Sequence, residues 1–332
     1  MKHLRISVVD CGTSFDMADR VLEWLSCRFA IEIVARDAEY VLHSCFGYDV
    51  LNHSGVRLFV TGENVVPDFN LCDYAIGYDR LTFADRYCRV PIYRFYSRYD
   101  GLLRPPSPPA AALAAKKGFC AFVASNWKAD PQRIRIANLL SAYKPVGMGG
   151  SLMNNVGGRV ADKIAFQTGY KFAVAFENSS TPGYVSEKIM DAFLSRAIPI
   201  YWGAPDVAQD FNPDAFVNVN DCGSLEAAVA RVREIDADDA LYCRMLAAPW
   251  FRDGREPEHL REEVYLDFLT HIFAQTWEQA FRRNRGFWGR KYERRLEEAF
   301  HRPHIQAVRY IHSVARKLRR GNRPYAWPQP KK

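Results

Sequence analysis

The sequence predicts an α/β protein of two Rossmann-like domains that face a cleft, followed by a helical basic tail. The first observation is that apolar runs of strand length alternate with helix-length segments on both sides of residues 101–118. The second is that residues 101–118 are rich in proline, alanine and glycine, the composition of a linker between domains. With 332 residues the chain is also long enough for two domains. The predicted division is 1–115, 116–257 and 258–332.

The charge of the chain is distributed unevenly. The whole sequence carries a net charge of +7, and residues 275–332 contain 16 Lys and Arg against 4 Asp and Glu, so this tail carries +12 and the remainder −5. Such an asymmetry concerns binding partners rather than the fold. A basic tail with aromatic residues is compatible with nucleic-acid binding, but no RRM, KH or zinc-finger motif accompanies it, and the acidic body argues against that role.

The eight cysteines predict a reducing compartment. They are scattered and form no CxxC pair, which is typical of thiols in a cytosolic protein and not of a disulfide or zinc framework. The beginning MKHLRISVVD is too short and too charged for a signal peptide. No run of about eighteen apolar residues is present that could cross a membrane. We therefore expect a cytoplasmic protein.

In the first domain, one predicted strand ends at a polar corner. The strand covers residues 56–61, and Gly62, Glu63 and Asn64 follow, so Glu63 stands just past its carboxyl end. Ligands of open α/β sheets bind at this edge. A solvated turn is the alternative explanation of this corner. The other elements predicted in this domain are strands at 5–9, 31–35 and 40–43 and a helix at 15–28.

The second domain contains a complete βαβ unit. A strand at 172–176, a helix at 184–196 and a strand at 198–202 follow one another, and Glu187 and Lys188 lie near the start of the helix. A buried lysine is unfavourable there unless it meets an anion, so the unit predicts a ligand that carries phosphate. A solvated helix face is the alternative. The remaining elements predicted here are strands at 119–124 and 216–219 and helices at 131–143 and 224–235.

Amphipathic helices are predicted beyond residue 258. An apolar stripe at period 3.6 predicts one long helix over 258–281, and further helices are expected at 291–300 and 303–320. The last has an apolar stripe and a basic remainder, which favours binding to an anionic membrane surface. We therefore expect a peripheral protein on the inner face of the cell membrane. Packing of the stripe on the protein body or on a second subunit is the alternative.

The stretch FENSSTPGYVSEKIMDAFLSRAIPIYWG, residues 176–203, closely resembles the donor-binding motif of the bacterial-type α1,3/1,4-fucosyltransferases, which use GDP-fucose. Supporting similarity is found at TGEN (61–64), DFN (68–70) and FCAFVASNW (119–127). The resemblance implies a GT-B fold with the donor-binding half on the C-terminal side. It also implies inverting transfer of L-fucose from GDP-β-L-fucose to N-acetylglucosamine or glucose in a glycan, giving an α1,3 or α1,4 fucoside. N-acetyllactosamine-type chains are the usual acceptors, and lipopolysaccharide or capsule would be natural polymers.

The resemblance also implies roles for individual residues. Glu63 matches the family's general base, and Arg133 and Lys188 match basic positions that would neutralise the diphosphate leaving group without a metal. Glu187 is expected to bind hydroxyls of ribose or fucose. No cofactor is therefore expected beyond the donor substrate, and stimulation by a divalent cation stays open. The implied donor-binding residues are Ser125, Asn126, Arg133, Asn178, Tyr184, Glu187 and Lys188.

Several of these residues have a structural alternative. Ser125 and Asn126 could cap the helix that follows them, and Arg133 could lie on the exposed surface of that helix. Asp236 and Asp238 form a D-x-D string, by which other glycosyltransferases hold a divalent cation, but a solvated loop is the favoured explanation here. Transfer of another GDP-linked sugar on the same fold is the alternative function, and a basic nucleic-acid-binding protein is a more distant one.

Overall fold

The computed structural model describes residues 1–11, 17–104, 106–301, 307 and 311. Within this part of the chain, eleven strands form two sheets in which every neighbouring pair is parallel. Parallel strands need crossover connections, and helices supply many of them here. The prediction of an α/β protein with two Rossmann-like halves is confirmed, whereas the domain boundaries after residues 115 and 257 stay a prediction.

The first sheet lies in the N-terminal half. Its strands are β1 (His3–Val9), β2 (Ala30–Ile33), β3 (Tyr40–His43), β4 (Val56–Val60), β5 (Tyr74–Gly77) and β6 (Tyr87–Arg89), with the helix α1 (Met17–Ser26) after β1. Their order in the sheet is β2-β1-β3-β4-β5-β6. The four strands predicted from the sequence are confirmed. The sequence pattern does not reveal β5 and β6, because they have only four and three residues.

The second sheet lies in the C-terminal half. Its strands are β7 (Gly118–Phe122), β8 (Val146–Met148), β9 (Tyr170–Phe176), β10 (Ile198–Trp202) and β11 (Val217–Asn218). Their order in the sheet is β11-β10-β9-β7-β8. Its helices are α2 (Pro109–Ala114), α3 (Gln132–Ser141), α4 (Lys163–Thr168), α5 (Glu187–Leu194), α6 (Val219–Cys222), α7 (Leu225–Ala237) and α8 (Asp239–Ala247). Because β9 and β10 pair directly and α5 connects them, the predicted βαβ unit is confirmed.

The helix of the βαβ unit is shorter than predicted. The sequence predicts it over 184–196, but α5 begins at Glu187. The preceding residues are used otherwise: Gly183 has a φ of 77°, in the left-handed region, and the Ser186 N–H donates to the Glu177 side chain at 2.7 Å. Tyr184 therefore precedes the helix and does not belong to its first turn.

The predicted long helix over 258–281 is wrong. A 3₁₀ turn at Glu258–Leu260 precedes the helix α9 (Glu262–Ala274), and the chain then leaves the helical path. Tertiary contacts hold this path: Lys2 Nζ donates to the Phe273 carbonyl at 2.8 Å, and the Tyr40 hydroxyl donates to the Gln275 carbonyl at 3.2 Å. Further on, the backbone N–H groups of Arg282 and Arg283 both donate to Oδ1 of the buried Asp73 at 2.8 Å. The apolar side of α9 packs into the core of the first half.

The last described helix, α10 (Phe287–His301), lies on the first half and includes the helix predicted at 291–300. Glu293 pairs with Arg57 at 2.8 Å, and the Tyr292 hydroxyl donates to Asp68 at 2.6 Å. The helix predicted over 303–320, apart from residues 307 and 311, and the first residues of the helix predicted at 15–28 lie outside the described residues. Among the described residues, no helix has the length and apolar character that a membrane span requires.

The D-x-D string does not form a solvated loop, so that interpretation is wrong. Asp236 is buried in α7, and its carboxylate pairs with Lys144 at 2.5 Å and with Lys171 at 3.1 Å. Asp238 caps α8 by accepting a hydrogen bond from the Leu241 N–H at 2.9 Å. Both carboxylates therefore have structural partners. In the described part of the chain, no group of three or more His, Cys, Asp or Glu side chains could hold a metal ion.

Candidate active site

A cavity of about 380 Å³ opens at the carboxyl ends of β7 and β9, beside the first turn of α5. The polar edges of two neighbouring strands and a helix N-terminus converge there, as in other open α/β sheets. Arg159 and Lys163, which the sequence patterns did not single out, also line this cavity. Six of the predicted donor-binding residues line it: Ser125, Asn126, Arg133, Asn178, Glu187 and Lys188.

Arg133 is a buried cation of this cavity and not a surface residue of α3. Its side chain donates to the Phe176 carbonyl at 2.8 Å, to Asn178 Oδ1 at 2.9 Å and to the Asn126 carbonyl at 3.5 Å. Burial lowers the pKa of its guanidinium from the ordinary value. The residue is 4% exposed, so the alternative of an exposed helix residue is wrong. The Arg133 guanidinium group is held by backbone and side-chain oxygens at the ends of two strands, so a ligand meets it already oriented.

Ser125 and Asn126 lie exposed at the mouth of the cavity. The alternative that they cap α3 is wrong, because the N-cap residue of α3 is Pro131 and no side chain caps this helix. Asn126 instead closes a local turn, in which its Oδ1 accepts the Lys128 N–H at 2.9 Å.

The charged centre of the site is a buried carboxylate, Glu177, which sequence reasoning left in a polar loop. It is fully buried and accepts hydrogen bonds from Ser186 N–H and Oγ at 2.7 Å each and from Lys188 Nζ at 3.0 Å. Its carboxylate raises the pKa of Lys188, although burial alone would lower it. The ammonium group is thus held charged and in place. The sequence feature that could have revealed Glu177 as a site residue is its position directly after a buried strand.

Glu187 is the second carboxylate of the cavity. The Tyr96 hydroxyl of the first half donates to its Oε2 at 3.1 Å, and Lys188 Nζ lies 3.7 Å from its Oε1. Burial raises the pKa of Glu187, but the charges of Lys188 and Lys163 outweigh burial and bring it to about 2. The carboxylate is therefore ionised at neutral pH and can accept hydrogen bonds from sugar hydroxyls.

The two further cations of the cavity differ from each other. Lys163, at the start of α4, pairs with the buried Asp191 at 2.9 Å. Arg159 is exposed, and no carboxylate among the described residues pairs with it. It follows Gly157 and Gly158, whose φ values of 84° and 152° form a turn around Asn154. Arg159 is therefore the cation of this site that has the most freedom to meet a ligand.

Tyr184 does not line the cavity. It is buried in the core of the first half, where its ring meets the edge of Tyr78 with 5.1 Å between centroids. Burial and the Glu177 carboxylate raise the pKa of its hydroxyl, and Glu63 also contributes, so the hydroxyl lies in the electrostatic range of both glutamates. Its predicted contact with the donor stays a prediction.

Glu63 lies in the first half of the molecule. It is exposed on the loop of residues 61–73, the base loop, which follows β4. The Glu63 N–H donates to Thr61 Oγ1 at 3.2 Å. Its neighbour Asn64 reaches residues 177–186, the donor loop, and donates to Ser179 Oγ at 2.6 Å. The base loop and the donor loop therefore touch, and a carboxylate stands beside their contact. The catalytic role of Glu63 stays a prediction.

Two α/β halves, each built on a parallel sheet, with a cationic cavity at the strand ends of one of them define the GT-B architecture. The family model "Alpha-(1,3)-fucosyltransferase FucT N-terminal domain" matches residues 6–96, and "Glycosyltransferase family 10 (fucosyltransferase) C-term" matches residues 113–263. A crystal structure of an α1,3-fucosyltransferase is 31% identical, with a TM-score of 0.72 over 86% of this chain and 93% of that one. The chain belongs to glycosyltransferase family 10, the fucosyltransferase family.

Two further comparisons add detail. The α-(1,3)-fucosyltransferase FucT of Helicobacter pylori is 40% identical over 221 residues, which are 57% of this chain and 46% of that protein. A crystal structure of an α1,3-fucosyltransferase with GDP-fucose is 32% identical, with a TM-score of 0.71 over 86% of this chain and 94% of that one. The chain spans about half the length of the curated relatives it matches.

Proposed function

We propose that the protein transfers L-fucose from GDP-β-L-fucose to a hydroxyl of N-acetylglucosamine or glucose in an N-acetyllactosamine-type glycan, giving an α1,3 or α1,4 fucoside with inversion. One observation carries the proposal: Arg133, Lys188 and Glu187 line one cavity at strand ends, in a chain of the fucosyltransferase family. A solved relative with GDP-fucose supports the choice of donor.

The cations of the cavity suit the leaving group of this reaction. Negative charge grows on the diphosphate as its bond to fucose breaks, and fixed cations stabilise that charge without reorganising. Arg133 makes three hydrogen bonds with protein atoms and retains N–H groups for phosphate oxygens. Lys188 adds a compact charge held by Glu177. Glu187, ionised, would bind hydroxyls of ribose or fucose.

Glu63 suits the acceptor side. A hydroxyl is a weak nucleophile while protonated, and a carboxylate within reach removes its proton as the new bond forms. Attack opposite the diphosphate inverts the anomeric centre in one step, so the β-linked donor gives an α-fucoside. The exposure of Glu63 leaves room for a bulky sugar in front of it.

The reaction so described needs no metal, because Arg133 and Lys188 supply the charge that a divalent cation would supply. We expect activity to persist in excess EDTA, with at most a modest stimulation by added manganese. Activity that disappears in EDTA and returns with manganese would contradict this part of the proposal.

The test of the function is release of GDP from GDP-fucose with a panel of type 1 and type 2 disaccharides, followed by NMR of the product. We expect acceptor-dependent release and an α-linked fucose. GDP-mannose is the matched donor control, because it keeps the nucleotide and changes only the sugar. Equal turnover of GDP-mannose would favour another GDP-sugar as the donor, and an absence of transfer to every acceptor would refute the proposal.

The basic tail supports a peripheral location on an anionic membrane, at the inner face of the cell membrane. Residues 301–332 contain nine Lys and Arg and no Asp or Glu. Each Lys or Arg near an anionic surface contributes about 1 kcal/mol. We expect the full chain to sediment with anionic vesicles and a chain truncated after Phe300 to lose most of that binding while keeping activity on soluble disaccharides. A full chain that ignores such vesicles at low salt would exclude this location.

A further inference from the structure

The side chain of Asn64 joins the two halves of the molecule beside the proposed base. Its Nδ2 donates to Ser179 Oγ at 2.6 Å and to Thr181 Oγ1 at 2.7 Å, both on the donor loop. Its Oδ1 accepts from the hydroxyl of the buried Tyr78 at 2.5 Å. The amide therefore has a partner for each N–H and for its oxygen, and it fixes the base loop to the donor loop.

A second set of contacts holds the other end of the donor loop. Gly183 has positive φ, and a Cβ there would lie 2.6 Å from the Tyr78 carbonyl oxygen of the first half, so only glycine permits this approach. The Gly183 N–H donates to Asp206 Oδ1 at 2.7 Å, and Asp206 pairs with Arg80 of the first half at 2.5 Å. The first half thus holds the donor loop at both ends, and Asn64 is the contact nearest to Glu63.

From this geometry we propose that Asn64 is a positioning residue, which ties the base loop to the donor loop and so places the Glu63 carboxylate over the acceptor hydroxyl. The inference rests on the proposed function. Glu63 is exposed, and its backbone bonds are local: its N–H donates to Thr61 Oγ1 at 3.2 Å, and its carbonyl accepts from the Val65 N–H at 2.8 Å. Its position relative to the donor therefore depends on its neighbour. A misplacement of about 1 Å lowers a rate by as much as about 10²-fold.

The first experiment compares Asn64→Ala with Asn70→Ala in the full chain. Asn70 is the matched control, because it is an exposed asparagine of the same base loop whose amide donates to Asp68, within that loop. We expect Asn64→Ala to lower kcat by about 10- to 100-fold and to leave GDP affinity nearly unchanged. Asn70→Ala should change neither. A normal kcat in Asn64→Ala would overturn the inference.

A double-mutant cycle shows whether Asn64 acts through Glu63. If it does, adding Asn64→Ala to Glu63→Gln should lower kcat little further, because the carboxylate to be positioned is already gone. A full second loss of kcat in the double variant would mean that Asn64 supports the fold or binds substrate directly, and would overturn the inference.

The outcomes also separate this inference from the function on which it rests. A wild-type protein that transfers no fucose refutes the proposed function, and the inference falls with it, whereas an active wild type with a fully active Asn64→Ala refutes the inference alone. If Asn64→Ala does not fold, Thr181→Val removes one acceptor of the Asn64 amide from the donor side. We then expect a smaller loss of kcat at unchanged GDP affinity, and an unaltered kcat would overturn the inference.

Discussion

The glutamate of the donor loop and the glutamate of the base loop lie in opposite environments. On the donor side, Glu177 is fully buried and accepts three hydrogen bonds, and Arg133 is 4% exposed and donates three. On the base loop, Glu63 is exposed. A preformed arrangement suits a ligand part that never varies, such as a diphosphate, because no reorganisation is needed when it binds. An open carboxylate suits acceptors of varied shape.

The largest effect should come from removing the exposed carboxylate. Glu63→Gln keeps size and hydrogen bonding but cannot take a proton, so kcat should fall by roughly 10²–10⁴-fold. GDP binding should stay nearly intact, because Glu63 lies outside the donor cavity. Steady-state kinetics at saturating acceptor and calorimetry with GDP measure the two quantities. Glu23→Gln, an exposed glutamate on α1, is the control. Near-normal turnover of Glu63→Gln would remove Glu63 from the reaction.

Changes on the buried side should act on affinity first. Lys188→Ala and Arg133→Ala each remove hydrogen bonds to a charged ligand, worth about 1.5–3 kcal/mol, so GDP affinity should fall by about one to two decades. Arg135→Ala is the matched control, because Arg135 lies on the same helix as Arg133 but is 63% exposed and pairs with Glu226. Unchanged GDP affinity in both cavity variants would show that the diphosphate binds elsewhere.

The same contrast decides what could be predicted from the sequence. Most of the donor side comes from one continuous stretch of sequence, residues 172–203. The βαβ unit and the positions of Asn178, Glu187 and Lys188 therefore follow from local pattern and resemblance. The partner of Lys188 does not, because Glu177 lies eleven residues earlier and turns inward only once β9 is part of a sheet. The place of Arg159 in the donor cavity could not be predicted either, because no periodic sequence pattern surrounds this residue.

Predictions failed where tertiary contacts override local preference. The sequence predicts Tyr184 on a helix. In the structure Gly183 has a left-handed backbone, so Tyr184 precedes the helix and its ring packs into the core of the first half. The helix predicted over 258–281 ends at Ala274, and the chain beyond it is held by Asp73, which accepts hydrogen bonds from the backbone N–H groups of Arg282 and Arg283. Asp73 is more than two hundred residues away in sequence, so no local pattern could reveal the contact.

A pH experiment sharpens the comparison of buried groups. His43 of the first half is buried like Glu177, with 4% of its surface exposed. Unlike the Glu177 carboxylate, its Nε2 has no hydrogen-bond partner among the described residues. Burial, with the nearby Arg57 charge, lowers the pKa of His43 from 6.5 to about 3. The unfolded chain therefore binds the proton first as the pH falls, and stability is lost from about pH 6.5 down towards about pH 3.

Between pH 7 and pH 5 this histidine should reduce the free energy of unfolding by about 2 kcal/mol. His43→Asn should lose less stability over that interval than the wild type, as measured by urea unfolding at both pH values. The control is His3→Asn, since His3 is exposed on β1. Identical pH dependence in wild type and His43→Asn would mean that water or a proton reaches the imidazole at little cost.

The smallest effect should come from Arg159, the cation of the donor cavity that pairs with no carboxylate in the described part of the chain. Arg159 is exposed, and a charge interaction in water is worth about 0.2–1 kcal/mol, so Arg159→Ala should weaken GDP binding by no more than about fivefold. Because the loss is electrostatic and solvent-exposed, it should shrink as salt is raised from low to physiological concentration, whereas the loss in Arg133→Ala should persist. Titrations of GDP at two salt concentrations measure both. A salt-independent loss as large as that of Arg133→Ala would show that the loop around Gly157 closes over the nucleotide and buries Arg159 on binding.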